Sequence, residues 1–236
     1  MVTKDKKSMI DSMFQVGAHF AMNKARRHPS AKPFVFGIKN NIEIFDLEKT
    51  EIALEKAKKF MAGIGAAGKQ ALFVAGKSEA ILAVKAVATR TGQPVVGGRW
   101  IGGTLTNFTQ IRKRVEKYEN RLKEKEKGEL TKYTKKERLL IDREITKLEL
   151  LFGGIVSMKE KPGVLIVVDP KREFTAVEEA RQVGIPVIAI ASSDCNLALV
   201  DYVIPANDSS ASSVAFFLDE LARAYIEAKL SKPEIK

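Results

Sequence analysis

Residues 162–190 read PGVLIVVDPKREFTAVEEARQVGIPVIAI. Val164–Val168 is an unbroken apolar run without a polar alternate, the pattern of a strand buried on both faces. Phe174–Val183 follows with helical spacing and closes at Gly184. Pro186–Ala191 is a second apolar run. Two such strands joined through a helix form a parallel pair, because a parallel crossover needs about a dozen residues or more.

The same alternation extends in both directions. Upstream, Leu47, Ile52, Leu54, Ala57, Phe60, Met61 and Ile64 mark a helix that is expected to stop at Gly65 and Gly68. Ala71–Ala75 is a buried strand, Glu79–Thr91 an Ala-rich helix ended by Gly92, and Pro94–Val96 another buried strand. Downstream, Tyr202–Ile204 makes a short last strand. Ser209–Leu230 is a long helix with Val214, Phe217, Leu218, Leu221 and Tyr225 on one face. The expected fold is α/β: a doubly wound, flavodoxin-like parallel sheet covered by helices on both faces.

Residues 107–152 interrupt it, reading NFTQIRKRVEKYENRLKEKEKGELTKYTKKERLLIDREITKLELLF. Phe108, Ile111, Val115, Tyr118 and Leu122 are spaced 3, 4, 3, 4, and Ile141, Ile145, Leu148 and Phe152 are spaced 4, 3, 4. These are narrow coiled-coil seams, and Gly128 and Thr131 suit the turn between them. The expectation is an inserted helical coiled-coil hairpin at 107–152, with an α/β domain formed by 1–106 and 153–236. Each arm of about 20 residues would run roughly 30 Å. From Arg112 to Lys147 there are 14 Lys/Arg against 8 Asp/Glu. Such a surface is either solvated and laced with i,i+4 pairs, or an arm laid along phosphates.

The N-terminal part is irregular. Residues 1–8 are polar and basic and are expected to form a loose tail, with Ser8 capping a short helix whose apolar face is Met9, Ile10, Met13 and Phe14. Gly17–Thr50 mixes Lys24, Arg26, Arg27, His28, Lys32 and Lys39 with Phe20, Phe34 and Phe36. Strands are expected at Phe34–Ile38 and Ile42–Phe45, with Asn40-Asn41 as their turn. Basic loops that carry aromatics suit RNA, where phosphate contacts and base stacking dominate recognition.

The chain has 236 residues, 40 Lys/Arg against 29 Asp/Glu, and a net charge of +11. That charge attracts polyanions. Of the two common ones, an anionic membrane is the poorer match, because no apolar run approaches the length of a span and the hairpin seams are too narrow for an interfacial helix. The N-terminus lacks the features of a secretory signal. Cys195 is the one cysteine, so no intrachain disulfide forms, in keeping with a reducing cytosol.

Enzymatic signatures are weak. Gly97-Gly98 and Gly102-Gly103 match neither phosphate-binding fingerprint, and Gly76-Lys77-Ser78 lacks the upstream glycine of a P-loop. Asp169 with Pro170 reads as a helix cap followed by an N1 proline, not as a catalytic carboxylate. Cys195 has no base nearby in sequence and reads as an inert buried thiol. His19 with Asp169 and Asp194 could be imagined as a metal site, but nothing in the spacing specifies it. No catalytic or metal-binding residue is assigned. The rival reading is a nucleotide-dependent enzyme on the same sheet.

Seven segments, GAHF (17–20), KPFVFG (32–37), IFDLEKT (44–50), RWIGGTLTNF (99–108), KLELLFGGIVSMKEKP (147–162), PGVLIVVDPKREFTAVEEARQVGIPVIAI (162–190) and VDYVIPAND (200–208), resemble the bacterial-type small-subunit ribosomal protein S-two family in order and spacing over nearly the whole chain. RWIGGTLTNF and VVDPKREFTAVEEA are its most specific stretches. The resemblance implies an α/β domain with a coiled-coil protrusion, bound to ribosomal RNA on the small subunit, with no catalysis, cofactor or small-molecule substrate. Neighbouring ribosomal proteins are implied partners, with the mRNA-binding S-one protein as a candidate. The chain departs from the family at Ala21-Met22, at 24–29 and at 192–197, the loops on which such protein contacts would depend. The residues expected to meet RNA are Lys24, Arg26, Arg27, Lys32, Arg99, Asn107, Arg112, Lys113 and Arg114.

Overall fold

A computed structural model describes residues 8–231. The expected tail at 1–8 therefore lies outside the described residues except for Ser8, whose side chain accepts from Asp11 N to cap α1 (Met9–Gln15). Five strands form the central sheet: β4 (Ala71–Ala75), β5 (Val95–Gly97), β6 (Val164–Val168), β7 (Val187–Ala191) and β8 (Tyr202–Pro205). All neighbours are parallel, and the spatial order is β5-β4-β6-β7-β8. Counted from the first strand of the sheet this is 2-1-3-4-5, the flavodoxin-like order, with its switch point between β4 and β6.

The period of two along each strand divides the core into two layers. Ala71, Phe73 and Ala75 join Val164, Ile166, Val168, Ile188, Ile190 and Ile204 on one face. There they pack under α2 (Leu47–Ala67), α3 (Ser78–Thr91) and α7 (Ala211–Leu230). Leu72 and Val74 join Leu165, Val167, Val187 and Ala189 on the other. That face is covered by α6 (Phe174–Val183) and the root of the hairpin. Glycines in the left-handed region, Gly68, Gly92 and Gly184, end α2, α3 and α6. Gly65 does not stop α2. It lies inside the helix against the Tyr225 carbonyl of α7, where a Cβ would collide with backbone.

The irregular N-terminal part holds more structure than its sequence suggests. β1 (Phe20–Asn23), β2 (Val35–Lys39) and β3 (Ile42–Phe45) form a second, antiparallel sheet in the order β1-β3-β2. β1 is only four residues long and its side chains are half-buried or exposed, so no alternation announces it. The turn between β2 and β3 holds Asn40 and Asn41 at φ 50° and 61°, the geometry of a tight hairpin turn.

The insertion is two packed helices, α4 (Phe108–Glu126) and α5 (Lys135–Phe152). Ile111, Val115 and Tyr118 on α4 and Ile145, Leu148 and Phe152 on α5 are buried, and Phe108, Leu122 and Ile141 pack beside them. Gly128 makes the turn at φ 70°, and Thr134 with Glu137 forms a capping box for α5. The seam residues share one apolar cluster with the sheet, so the root of the hairpin continues the core.

Candidate nucleic-acid interface

The loop between β5 and α4 is shaped by one buried carboxylate. Glu179 of α6 is 6% exposed, and its two oxygens accept five hydrogen bonds. Oε1 accepts from Trp100 Nε1 at 3.0 Å and Gly103 N at 2.8 Å. Oε2 accepts from Leu105 N at 2.9 Å and from Thr106 N and Oγ1, both at 3.2 Å. Burial pushes this carboxyl up, but the indole and backbone N–H donors outweigh it and hold Glu179 below the usual carboxylate range. The two most specific stretches of sequence, 99–108 and the one containing Glu179, are thus joined through this side chain. The joint sets where Arg99, Asn107 and the first turn of α4 stand.

The predicted cations fall into two groups. Lys24, Arg26, Lys32, Arg99, Lys113 and Arg114 are exposed. None of the six side chains makes an ion pair or hydrogen bond with another described residue. Lys24 and Arg26 stand on a short 3₁₀ turn after β1, held by Asn23 Oδ1 accepting from Ala25 N at 2.9 Å. Lys113 and Arg114 stand on the first turns of α4. Asn107 is exposed, and its side chain does not cap α4.

Arg27 and Arg112 were expected to be free, and both are engaged. Arg27 reaches the fully buried Glu43 of β3, with Nη1 to Oε1 at 2.9 Å. A buried carboxylate needs such a partner, so this guanidinium is drawn inward. Arg112 donates from Nη1 to the Val156 carbonyl at 3.0 Å and lies near Glu119 at 3.4 Å, tying α4 to the turn that follows α5. Three further hairpin cations are paired between the two helices: Lys117 and Arg121 with Glu144, and Lys125 with Asp142 at 2.7 Å.

The carboxyl ends of the strands, where doubly wound sheets bind ligands, carry a closed ionic cluster. Lys77 follows β4 and turns inward, with Nζ 2.7 Å from Asp169 Oδ2 and 2.9 Å from Asp208 Oδ2. Burial lowers its pKa, but the two carboxylates outweigh this and raise it above the ordinary lysine value. Asp169 also accepts from Lys171 N and Arg172 N, both at 3.2 Å. It therefore closes the turn before α6 and is not that helix's cap. The helix begins four residues later than the Asp-Pro pair suggests, because Asp169 adopts φ 63° and the turn 169–172 intervenes.

Cys195 is fully buried beside Asp169, with Sγ 3.6 Å from Oδ1. Burial pushes its thiol far up, and the neighbouring carboxylates add to the effect. Asp169, Cys195 and Asp208 hold donor atoms within 4.8 Å of one another, but the Lys77 ammonium already contacts both carboxylates. His19 does not join them. It stacks on Phe14 with centroids 4.5 Å apart and lies against Phe20 at 4.1 Å.

Against known proteins, the family described as Ribosomal protein S2 matches residues 13–228. The chain is 42% identical over 218 residues to the small ribosomal subunit protein uS2 of Roseiflexus castenholzii, covering 92% of this chain and 83% of the relative. It is 38% identical over 224 residues to the uS2 protein of Maridesulfovibrio salexigens, covering 95% and 86%. Among the described residues no helix is long and apolar enough to cross a membrane.

Proposed function

The chain belongs to the ribosomal protein S2 family, and from that premise we propose that it is a structural constituent of the small ribosomal subunit. It binds the subunit's RNA, supports translation and catalyses no reaction. The observation that carries the RNA reading is the set of six exposed cations without an ion pair or hydrogen bond among the described residues: Lys24, Arg26, Lys32, Arg99, Lys113 and Arg114. In a chain of net charge +11, cations left unpaired beside well-paired ones are available to phosphates.

The mechanism is positioning. The α/β body (1–106 with 153–236) presents the loops at 24–32 and 98–107, and the hairpin (107–152) carries its basic first turns directly after the second of them. Little base readout in helical RNA is expected, since A-form major grooves exclude side chains. Neighbouring small-subunit proteins are the further partners of this reading, with the mRNA-binding S-one protein a candidate to be tested by crosslinking from 192–197. The lysine that a P-loop would offer to phosphate after the first strand of the sheet, Lys77, is committed to two carboxylates.

The test is binding of the full chain to small-subunit RNA as a function of salt. Arg26→Ala and the pair Lys113→Ala with Arg114→Ala should weaken binding and lower the salt slope by roughly one per phosphate contact removed, with the circular dichroism unchanged. Salt-independent binding, or unchanged slopes in both variants, overturns the reading. Arg27→Ala and Arg112→Ala are poorer probes, because each also breaks an internal bond.

A further inference from the structure

One cavity near the switch point is not used by the ionic cluster. It measures about 360 Å³ and is lined by Gly76, Gly98, Arg99, Trp100, Arg172, Glu173 and Thr175. Its volume falls in the ~300–1,000 Å³ range of small-molecule sites. Two of its walls are cationic. Arg99 and Arg172 are exposed, and neither guanidinium makes an ion pair or hydrogen bond with a described residue. A third wall is the carboxyl of Glu173, 6% exposed. Burial pushes this carboxyl above the usual carboxylate range, and the Arg172 guanidinium and the Gly76 backbone N–H offset part of that rise. Gly76 stands close to this carboxyl, and a Cβ there would meet Glu173 Oε1 and the Gly98 carbonyl. Trp100 supplies apolar surface, because its only donor is spent on Glu179.

Two free guanidiniums and a buried carboxyl in one cavity do not match a bare phosphate, which the carboxylate would repel. They match a ligand with an anion at one end and hydrogen-bond donors at the other. A nucleotide has that form. Among the four bases, guanine alone carries two adjacent donors, N1–H and N2–H, on its Watson–Crick edge, the fit for a bidentate carboxylate. In adenine and cytosine the amino donor is flanked by a ring acceptor, and in uracil the ring N–H lies between two acceptors.

The geometry points to this cavity as the receptor for one unstacked guanine nucleotide of the small-subunit RNA, its phosphate on Arg99 and Arg172 and its base edge on Glu173. This deepens the RNA-binding reading and rests on it. It also places base readout where proteins can achieve it in RNA, at an unpaired nucleotide splayed from the helix.

Trp100 is the only tryptophan of the chain and lines the cavity, so its emission reports occupancy. The full chain is titrated with GMP, AMP, CMP, UMP and inorganic phosphate, following Trp100 emission and saturation-transfer NMR of each nucleotide. The expected result is a guanine preference of roughly tenfold, abolished by Glu173→Gln. Arg99→Ala should weaken every nucleotide alike and, lying on the surface, should not disturb folding. If the response to GMP disappears once small-subunit RNA is bound, an RNA guanine occupies the cavity. If it persists in the RNA complex, the occupant is a free guanine nucleotide and the assignment to RNA is overturned. Absence of base preference, or equal preference in Glu173→Gln, overturns the whole proposal. Salt-dependent RNA binding by the wild-type chain, measured beside it, keeps that failure distinct from failure of the RNA reading itself.

Discussion

Replacing Glu179 should uncouple the hairpin joint from the sheet. Its carboxylate serves five donors, and two belong to buried residues: Trp100, 8% exposed, and Leu105, fully buried. Gly103 is half-buried and Thr106 exposed, so water can replace the carboxylate there. An unsatisfied buried donor costs about 1–3 kcal/mol, so Glu179→Ala should destabilise by about 2–6 kcal/mol. That is a large part of the ~5–15 kcal/mol that a whole domain holds. Glu179→Gln keeps the shape but turns an amide NH₂ toward donors and loses the charge. Its cost should approach that of the alanine variant. Urea unfolding followed by Trp100 emission and by far-UV circular dichroism separates the joint from the whole, with the emission transition moving first in the variants. The pH dependence has a definite sign. The folded pKa of Glu179 lies below its unfolded value, so its contribution is complete above the unfolded carboxyl pKa of about 4.3 and is lost as pH falls through the folded pKa. The variants should lack that acid-side loss. A Glu179→Gln chain within about 0.5 kcal/mol of wild type, with unchanged Trp100 emission, would refute the joint as drawn.

Three other outcomes are expected. Lys77→Met leaves Asp169 and Asp208 facing each other without their cation and should cost about 3–5 kcal/mol in urea unfolding. Because the folded pKa of Lys77 is raised, the wild-type contribution is complete below the unfolded lysine pKa near 10.4 and is lost as pH rises through the folded value, an alkaline loss the variant should not show. Cys195→Ser should preserve RNA binding and fold, and the native thiol should resist alkylation until the chain unfolds, since burial and nearby carboxylates suppress its thiolate; rapid labelling of folded protein counts against this. Val115→Asp puts a charge into the seam of α4 and α5, where Val115 is 1% exposed, and should lower helicity and melt the hairpin; unchanged ellipticity would refute the seam.

The central sheet was legible because its signal is local and strong. The apolar runs at 71–75, 164–168 and 187–191 have no other use than strands covered on both faces, and the intervening helices end at glycines that the backbone needs. The antiparallel sheet was only half visible. β2 and β3 are joined by an Asn-Asn turn with a chemical signature, whereas β1 pairs with β3 from a distance and shows no alternation. Gly65 misled for a related reason: glycine marks a helix end by its own conformation, but here it is small for the sake of α7, a contact more than 150 positions away in sequence.

The surface was less legible than the core, and the physical reason is pairing. Sequence counts charges, but it does not say which of them a buried partner claims. Arg26 and Arg27 are neighbours of identical type, yet only Arg27 lies over the buried Glu43. Arg112 and Arg114 share one helix turn, yet only Arg112 reaches the Val156 carbonyl. Glu43 lies in an expected strand and Glu179 in an expected helix, and no local pattern marks either carboxylate as buried. A buried carboxylate shows itself by the donors that converge on it, and those come from segments remote in sequence. Under the proposed role, the cations open to RNA phosphates are those left over once the internal carboxylates are satisfied. On that basis Arg26, Lys113 and Arg114, and not their engaged neighbours, should carry the salt dependence of binding.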